Sequence, residues 1–344
     1  MNKDLAKICL ILPYFGKLPP CWGGWLDSCA DNPSIDFLII TDQIVVDAPE
    51  NVHIVRMEWY TICKRLRTFI QGLGYNRLYI GLPYKLCDYR PAYGALFQEY
   101  ISGYDYWGYI DCDLIWGNLR KFLDTIHFEN YDRIYRCGHL SIYRNVPEIN
   151  TLFTKNIKGC RPFSDIIATS YSMNFDEVGI NDYFDKSGLN FLNIRQDVTF
   201  YAYSDQYKWK NFRNPELGEI FVKEKDGSTW VYYMTSKDTY DRQEVNYIHF
   251  MTKKNIHIGR DVKRPYYISR NGIFDFYRND VMKYLESTIS TEEKESKFRK
   301  YQVREFRKSS LKKFQREIKF NKWRVFKTVF GRVKSYCQYL KYTR

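Results

Sequence analysis

Short apolar runs that stop abruptly at turn-forming or acidic residues constrain the fold of this chain more than any other feature. The run at residues 8–12 (ICLIL) is ended by Pro13 and Gly16, and the run at residues 37–40 is closed by Thr41-Asp42. Each has the length of a buried strand, with turn residues marking its end. Residues 51–57 alternate apolar and polar as a third strand, and residues 106–110 form a further one that delivers Asp111. Helical spacing fills the gaps at residues 22–30, 60–71 and about 91–102. Strands alternating with helices predict an α/β fold with a mostly parallel sheet covered on both faces. In such sheets ligands bind beyond the carboxyl ends of the strands. Three segments fall there: Pro13-Tyr14-Phe15, Thr41-Asp42 and Asp111-Cys112-Asp113.

The second half is less regular. Residues 133–144 read as a strand with a glycine break, residues 176–187 as a helix, and residues 229–235 and 246–251 as strands. Nine cysteines are scattered without a C-x-x-C pair, which argues against a zinc cluster or a disulfide framework and for a reducing cytoplasm. The N-terminal apolar run is too short for a signal peptide, and no run of about 18 apolar residues exists to span a membrane. No G-x-x-x-x-G-K-[ST] loop is present, which weighs against a phosphotransferase of that type. The 31 tyrosines fit either a genome bias or a carbohydrate-stacking surface.

The acidic pair Asp111 and Asp113 sits at the end of an apolar strand and is followed by Leu114-Ile115. Two carboxylates so placed can converge on one divalent cation, which in turn holds phosphate oxygens. The bland reading is a turn in which Asp side chains satisfy backbone donors, but the apolar flanks disfavour a solvated turn. Far downstream, NYIHFMTKKN carries His249 at the end of a strand, with Lys253 and Lys254 just beyond. An imidazole can complete a site for Mn²⁺, and the ammonium groups can neutralise a diphosphate. A lone histidine is more often a packed or hydrogen-bonded structural residue, and it gains weight only if it falls beside the acidic pair.

These landmarks in order resemble glycosyltransferase family 8, the galactosyltransferase and glycogenin-like enzymes. The resemblance rests on Tyr84-Lys85-Leu86, a helix ending EYISGYD, WGYIDCDLIWGNL, and the His-Phe-x-x-x-Lys run at 249–254. Asp176 to Asn181 looks like the family's Asp-Gln-Asp-x-Leu-Asn segment, and Gly138-His139-Leu140 stands where the family has Asn-x-Gly. The chain also resembles bacterial proteins encoded with capsular-polysaccharide genes, through KICLILPYFG, PYKLCDYRPAYG and GHLSIYRN.

The resemblance covers roughly residues 5–260 and implies a GT-A (Rossmann-like) nucleotide-diphospho-sugar transferase fold. It implies Mn²⁺ or Mg²⁺ held by Asp111, Asp113 and His249. It implies a donor pocket of Pro13, Tyr14, Asp42, Lys85, Asp88, Asp111, Gly138, His139, Lys253 and Lys254, with Lys85 on phosphate and Asp88 on sugar hydroxyls. Asp88 and Arg90 could instead form a structural ion pair. Glu177, Asp176 and Asp182 are the candidates for a catalytic carboxylate that deprotonates the acceptor hydroxyl in an inverting enzyme. In a retaining enzyme Glu177 could stabilise the positive sugar face. The bland reading is that Asp176-Glu177 favours a helix N-terminus. Lys85 replaces an Arg, Glu177 a Gln and Val178 an Asp, and the late motif lacks its glycine near Thr252, so the stereochemical outcome stays open.

The charge is divided unevenly. Residues 294–344 hold 18 Lys and Arg against 3 acids, which leaves 35 against 37 in the rest. Trp323, Phe326, Phe330, Val333, Cys337 and Leu340 form an apolar stripe at helical spacing, with Lys322, Arg324, Lys327, Arg332, Lys334 and Lys341 beside it. A basic amphipathic helix suits an anionic membrane surface, each basic group contributing roughly 1 kcal/mol. The alternatives are a helix packed on the body or a nucleic-acid tail; no nucleic-acid fold motif appears, and no nucleic-acid partner is expected.

The expected organisation is a catalytic domain at 1–260, a connecting segment at 261–293 and a tail at 294–344. The expected function is transfer from a nucleotide-sugar, a UDP-sugar by resemblance, to a glycan or lipid-linked acceptor of capsule or O-antigen. The expected place is the inner face of the plasma membrane. The alternative is an inactive GT-A-shaped scaffold of a polysaccharide assembly complex.

Overall fold

Period-two burial organises the first four strands. Along β1 (Ile8–Tyr14), Cys9 and Ile11 face one core while Ile8, Leu10 and Leu12 face another. In β2 (Asp36–Thr41), Leu38 and Ile40 face the first core, and Phe37 and Ile39 the second. A strand buried on both faces must be apolar throughout, which is why ICLIL and FLII read as continuous runs. Full burial of each such side chain is worth about 1.5–3 kcal/mol. The computed structural model describes residues 5–192, 198–203, 206–210, 218–250, 256–260, 262–269 and 272–289. The chain divides into two compact units, Met1–Ser290 and Thr291–Arg344. The basic tail and the pair Lys253 and Lys254 therefore lie outside the described residues.

The helix α1 (Trp22–Ala30) follows β1, and α2 (Trp59–Gly72) follows β3 (Val52–Arg56). They cover opposite faces: Trp25 and Leu26 of α1 join the second core, and Ile62, Leu66 and Ile70 of α2 the first. The strand β4 (Tyr106–Ile110) pairs in parallel with β1. β5 (Leu114–Trp116) follows, and α3 (Leu119–Thr125) is capped by the Asn118 side chain, which accepts from Lys121 N at 3.0 Å. The segment 133–144 is two strands, β6 (Arg133–Cys137) and β7 (Leu140–Arg144), and the chain reverses at Gly138-His139. With β8 (Phe191–Leu192) they complete a seven-stranded sheet of order β3-β2-β1-β4-β7-β6-β8. Its first four strands are parallel, β7 is antiparallel to β4, and β6 to β7. This is the mixed α/β, parallel-rich architecture expected of a GT-A-type fold.

Two helices differ from expectation. The one expected from about residue 91 is a run of 3-10 turns at Pro83–Ala92, then two short α segments, Tyr93–Leu96 and Gln98–Ile101. Tertiary packing intervenes: a Cβ on Gly94 would lie 2.4 Å from the Trp107 ring, so the backbone is pressed onto β4. The helix expected from residue 176 begins as one wide turn, Phe175–Gly179, before α4 (Ile180–Ser187). There the Phe175 ring lies against bare Gly179, where a Cβ would come within 2.2 Å.

Two further sheets complete the described part. The strands β9 (Val198–Tyr203), β10 (Gln206–Lys210) and β14 (Tyr247–His249) join β5 in the order β10-β9-β14-β5. The third sheet is formed by β11 (Glu219–Lys223), β12 (Thr229–Met234), β13 (Tyr240–Glu244), β15 (Tyr266–Ser269) and β16 (Gly272–Asp275). On it packs α5 (Val281–Ser287), through Val281 and Leu285 against Ile220 and Val222. The stretch expected as a connecting segment thus supplies two strands and a helix to this sheet. Among the described residues no helix is long and apolar enough to cross a membrane.

Candidate metal and donor site

The end of β4 carries the acidic pair. After fully buried Ile110 the chain turns at buried Cys112, and β5 starts at Leu114. β5 pairs antiparallel with β14, Leu114 opposite His249, and Phe250 N donates to Asp113 O at 2.9 Å. That pairing brings a distant histidine to the acidic pair. His249 Nε2 lies 3.6 Å from Asp113 Oδ1 and 3.9 Å from Asp111 Oδ2. One ligand atom from each residue lies within 4.8 Å of the others. These separations are too long for hydrogen bonds and suit atoms gathered around one cation. Two carboxylates and an imidazole are a donor set that fits Mn²⁺, with Mg²⁺ less suited to nitrogen.

Arg90 ties this triad to a second carboxylate. Its Nη2 donates to Asp111 Oδ1, and its Nη1 to Gly138 O and, at 2.8 Å, to Asp176 Oδ2. The planar fork suits two carboxylates at once, and its Cζ sits 5.5 Å over the Tyr109 ring. Because Arg90 takes Oδ1, the Oδ2 of Asp111 is left facing His249. Burial pushes the Asp176 carboxyl up to about 7; Arg90 opposes that, and the charges of Glu177, Asp88 and Asp111 reinforce it. Glu177 Oε1 accepts from Gly138 N at 3.1 Å, and a Cβ at 138 would lie 2.6 Å from it. Only glycine admits so close a carboxylate. His139 O accepts Asp111 N at 3.1 Å, and Tyr109 OH donates to Asp176 O at 2.6 Å.

The structure therefore brings together Asp111, Asp113, His249, Asp176, Glu177, Gly138 and His139. Pro13, Tyr14 and Asp42 lie at the same carboxyl edge, at the ends of β1 and β2, where Asp42 Oδ1 accepts from Gly16 N at 3.3 Å and Gln43 Nε2 at 2.7 Å. Asp182 lies on α4, where its charge acts on Cys160, and no described contact links it to the triad.

Lys85 and Asp88 require a correction as donor contacts. They pair with each other at 2.7 Å, with side chains 1% and 0% exposed. Lys85 Nζ also donates to Ile166 O and Tyr171 O, and Asp88 accepts from Met173 N and Phe175 N. Both side chains face protein, not a ligand. The alternative pairing of Asp88 with Arg90 is also not formed; Arg90 goes to the site instead. Arg90 is the residue whose role sequence reasoning missed. Its placement in the polar cluster at residues 83–93, ahead of β4, was the available signal, but nothing local told it from Lys85.

The model of a family of unknown function, DUF6625, matches residues 10–277. The chain belongs to that family. No curated protein matches it. Among solved structures, the galactosyltransferase LgtC with donor and acceptor sugar analogs is similar at 11% identity and TM-score 0.32, over 56% of this chain and 75% of that one. An active-site mutant of LgtC is similar at 10% identity and TM-score 0.36, over 83% and 96%. Mouse xyloside xylosyltransferase 1 is similar at 9% identity and TM-score 0.33, over 58% and 89%. For this member of DUF6625, the functional reading has to come from the site.

Proposed function

We propose that this protein is a metal-dependent glycosyltransferase, moving a sugar from a nucleotide-sugar, by resemblance a UDP-sugar, to a glycan or lipid-linked acceptor of a bacterial surface polysaccharide. The observation that carries the reading is the convergence of Asp111, Asp113 and His249 at the carboxyl edge of a parallel-rich sheet. A divalent ion there would offset the charge of the leaving diphosphate. Asp176 and Glu177 lie beside Gly138, one residue from the backbone of His139 that accepts Asp111 N–H. Asp176, titrating near neutrality, suits uptake of the acceptor proton in an inverting reaction. Glu177 suits stabilisation of a positive sugar face in a retaining one. Arg90 holds the metal ligand and the carboxylate pair in one frame.

Incubation with UDP-, GDP- and CMP-sugars, with and without Mn²⁺, tests the reading through donor binding and nucleotide release. Mn²⁺-dependent release from one donor supports it, and no binding to any donor would leave an inactive scaffold. We further propose that residues 1–260 carry catalysis and that the basic tail holds the protein on the anionic inner face of the plasma membrane. Removal of residues 294–344 should abolish binding to anionic vesicles, and unchanged binding would exclude the tail as the anchor.

A further inference from the structure

We propose that His139 is a positioning residue that orients His249 by stacking, a role that rests on the metal reading of the triad. A ligating imidazole is usually held through its second ring nitrogen by a carboxylate, carbonyl or water, which fixes the ring and its tautomer. Among the described residues neither a carboxylate nor a carbonyl holds His249 in this way: its Nδ1 is buried and meets no hydrogen-bond partner there. Its Nε2 faces Asp111 and Asp113.

The His139 ring supplies that restraint. Its centroid lies 4.0 Å from that of His249, with the planes 28° apart. His139 is itself gripped twice. Its Nε2 lies 2.9 Å from Tyr247 OH, and its carbonyl takes the Asp111 N–H. Tyr247 and His249 are two residues apart on β14, so their side chains share a face. The Tyr247 ring is in turn wedged edge-on against Trp116 at 5.7 Å and Tyr135 at 6.2 Å. The stack, the hydroxyl and the core aromatics form one rigid brace behind the third ligand. His139 thus acts on the metal through His249, while its backbone fixes the first ligand.

Mn²⁺ titration of the full chain, followed by electron paramagnetic resonance, tests this. His249→Ala should weaken Mn²⁺ binding more than 100-fold; unchanged binding would remove the metal reading itself. Given that loss, His139→Ala should weaken binding by roughly 10–100-fold, the range for groups that orient ligands. His139→Phe keeps a flat ring on His249 but gives up the Tyr247 hydroxyl, so it should lose only severalfold, as Tyr247→Phe should, and stay well above His139→Ala. Tyr247→Phe keeps the core ring but releases His139, and should lose affinity severalfold even if His139→Ala fails to fold. His139→Ala at full affinity, or His139→Phe as weak as His139→Ala, would overturn the proposal.

Discussion

Two ionic clusters lie on either side of the wide turn Phe175–Gly179, and they differ in where their hydrogen bonds go. The Lys85–Asp88 pair is sealed, its bonds running to backbone groups of residues 166, 171, 173 and 175. The Asp111–Asp113–His249 triad is tied to the protein on one side by Arg90 and presents ligand atoms too far apart to bond one another. Aspartate closes an ion pair in one place and faces an imidazole at ligand spacing in the other. The sealed pair still serves the site, because Asp88 fixes the amides just before Asp176 and Glu177. Burial lowers the Lys85 pKa, and Asp88 opposes that.

The largest effect should come from breaking the sealed pair. Asp88→Ala strands a buried ammonium and two amides, and should cost about 3–5 kcal/mol of stability in denaturant unfolding. A loss under about 1 kcal/mol would show that the pair is not sealed.

Asp176→Asn should do the opposite to stability while lowering turnover. The folded-state carboxyl is raised to about 7 from 3.8, so above 3.8 the unfolded chain binds fewer protons than the folded one. Stability conferred by the protonated form is therefore lost as pH rises from about 4 to 7. The advantage of Asp176→Asn should grow over that window and level off above it, with an upper bound on the order of 4 kcal/mol. Thermal midpoints of both proteins between pH 4 and 8 check the sign, and an advantage that shrinks with rising pH would break the contrast.

Arg90→Lys should have a smaller effect. It keeps the charge but loses the fork that bridges Asp111 and Asp176, and kcat/KM should fall roughly 10- to 100-fold. Full activity would mean that the two carboxylates need no common clamp.

Much of the frame was legible because it is local. The runs at 8–12, 37–40 and 106–110 encode strands by burial on both faces, and Asp111-Cys112-Asp113 encodes an acidic strand end. The glycine break at 138 was legible too, although it was read inside one strand and the chain forms a hairpin there. What was not legible depends on partners chosen over long separations. Lys85 and Arg90 share one polar cluster, and only the fold sends the first to residues 166–171 and the second to Asp111 and Asp176. The interrupted helix after Pro91 likewise follows from Gly94 pressed on Trp107, a contact absent from any local pattern. His139 was read as a donor contact because its stacking on His249 joins the turn between β6 and β7 to β14, a strand of another sheet.

A metal held by Asp111, Asp113 and His249 should be required for nucleotide release. The most direct test is Mn²⁺-dependent nucleotide release by Asp113→Ala, with unfolding followed alongside. Asp113 is 1% exposed and lies outside the sealed pair. Release should fall by about a thousandfold or more with the folded state retained. Full activity of Asp113→Ala would contradict it.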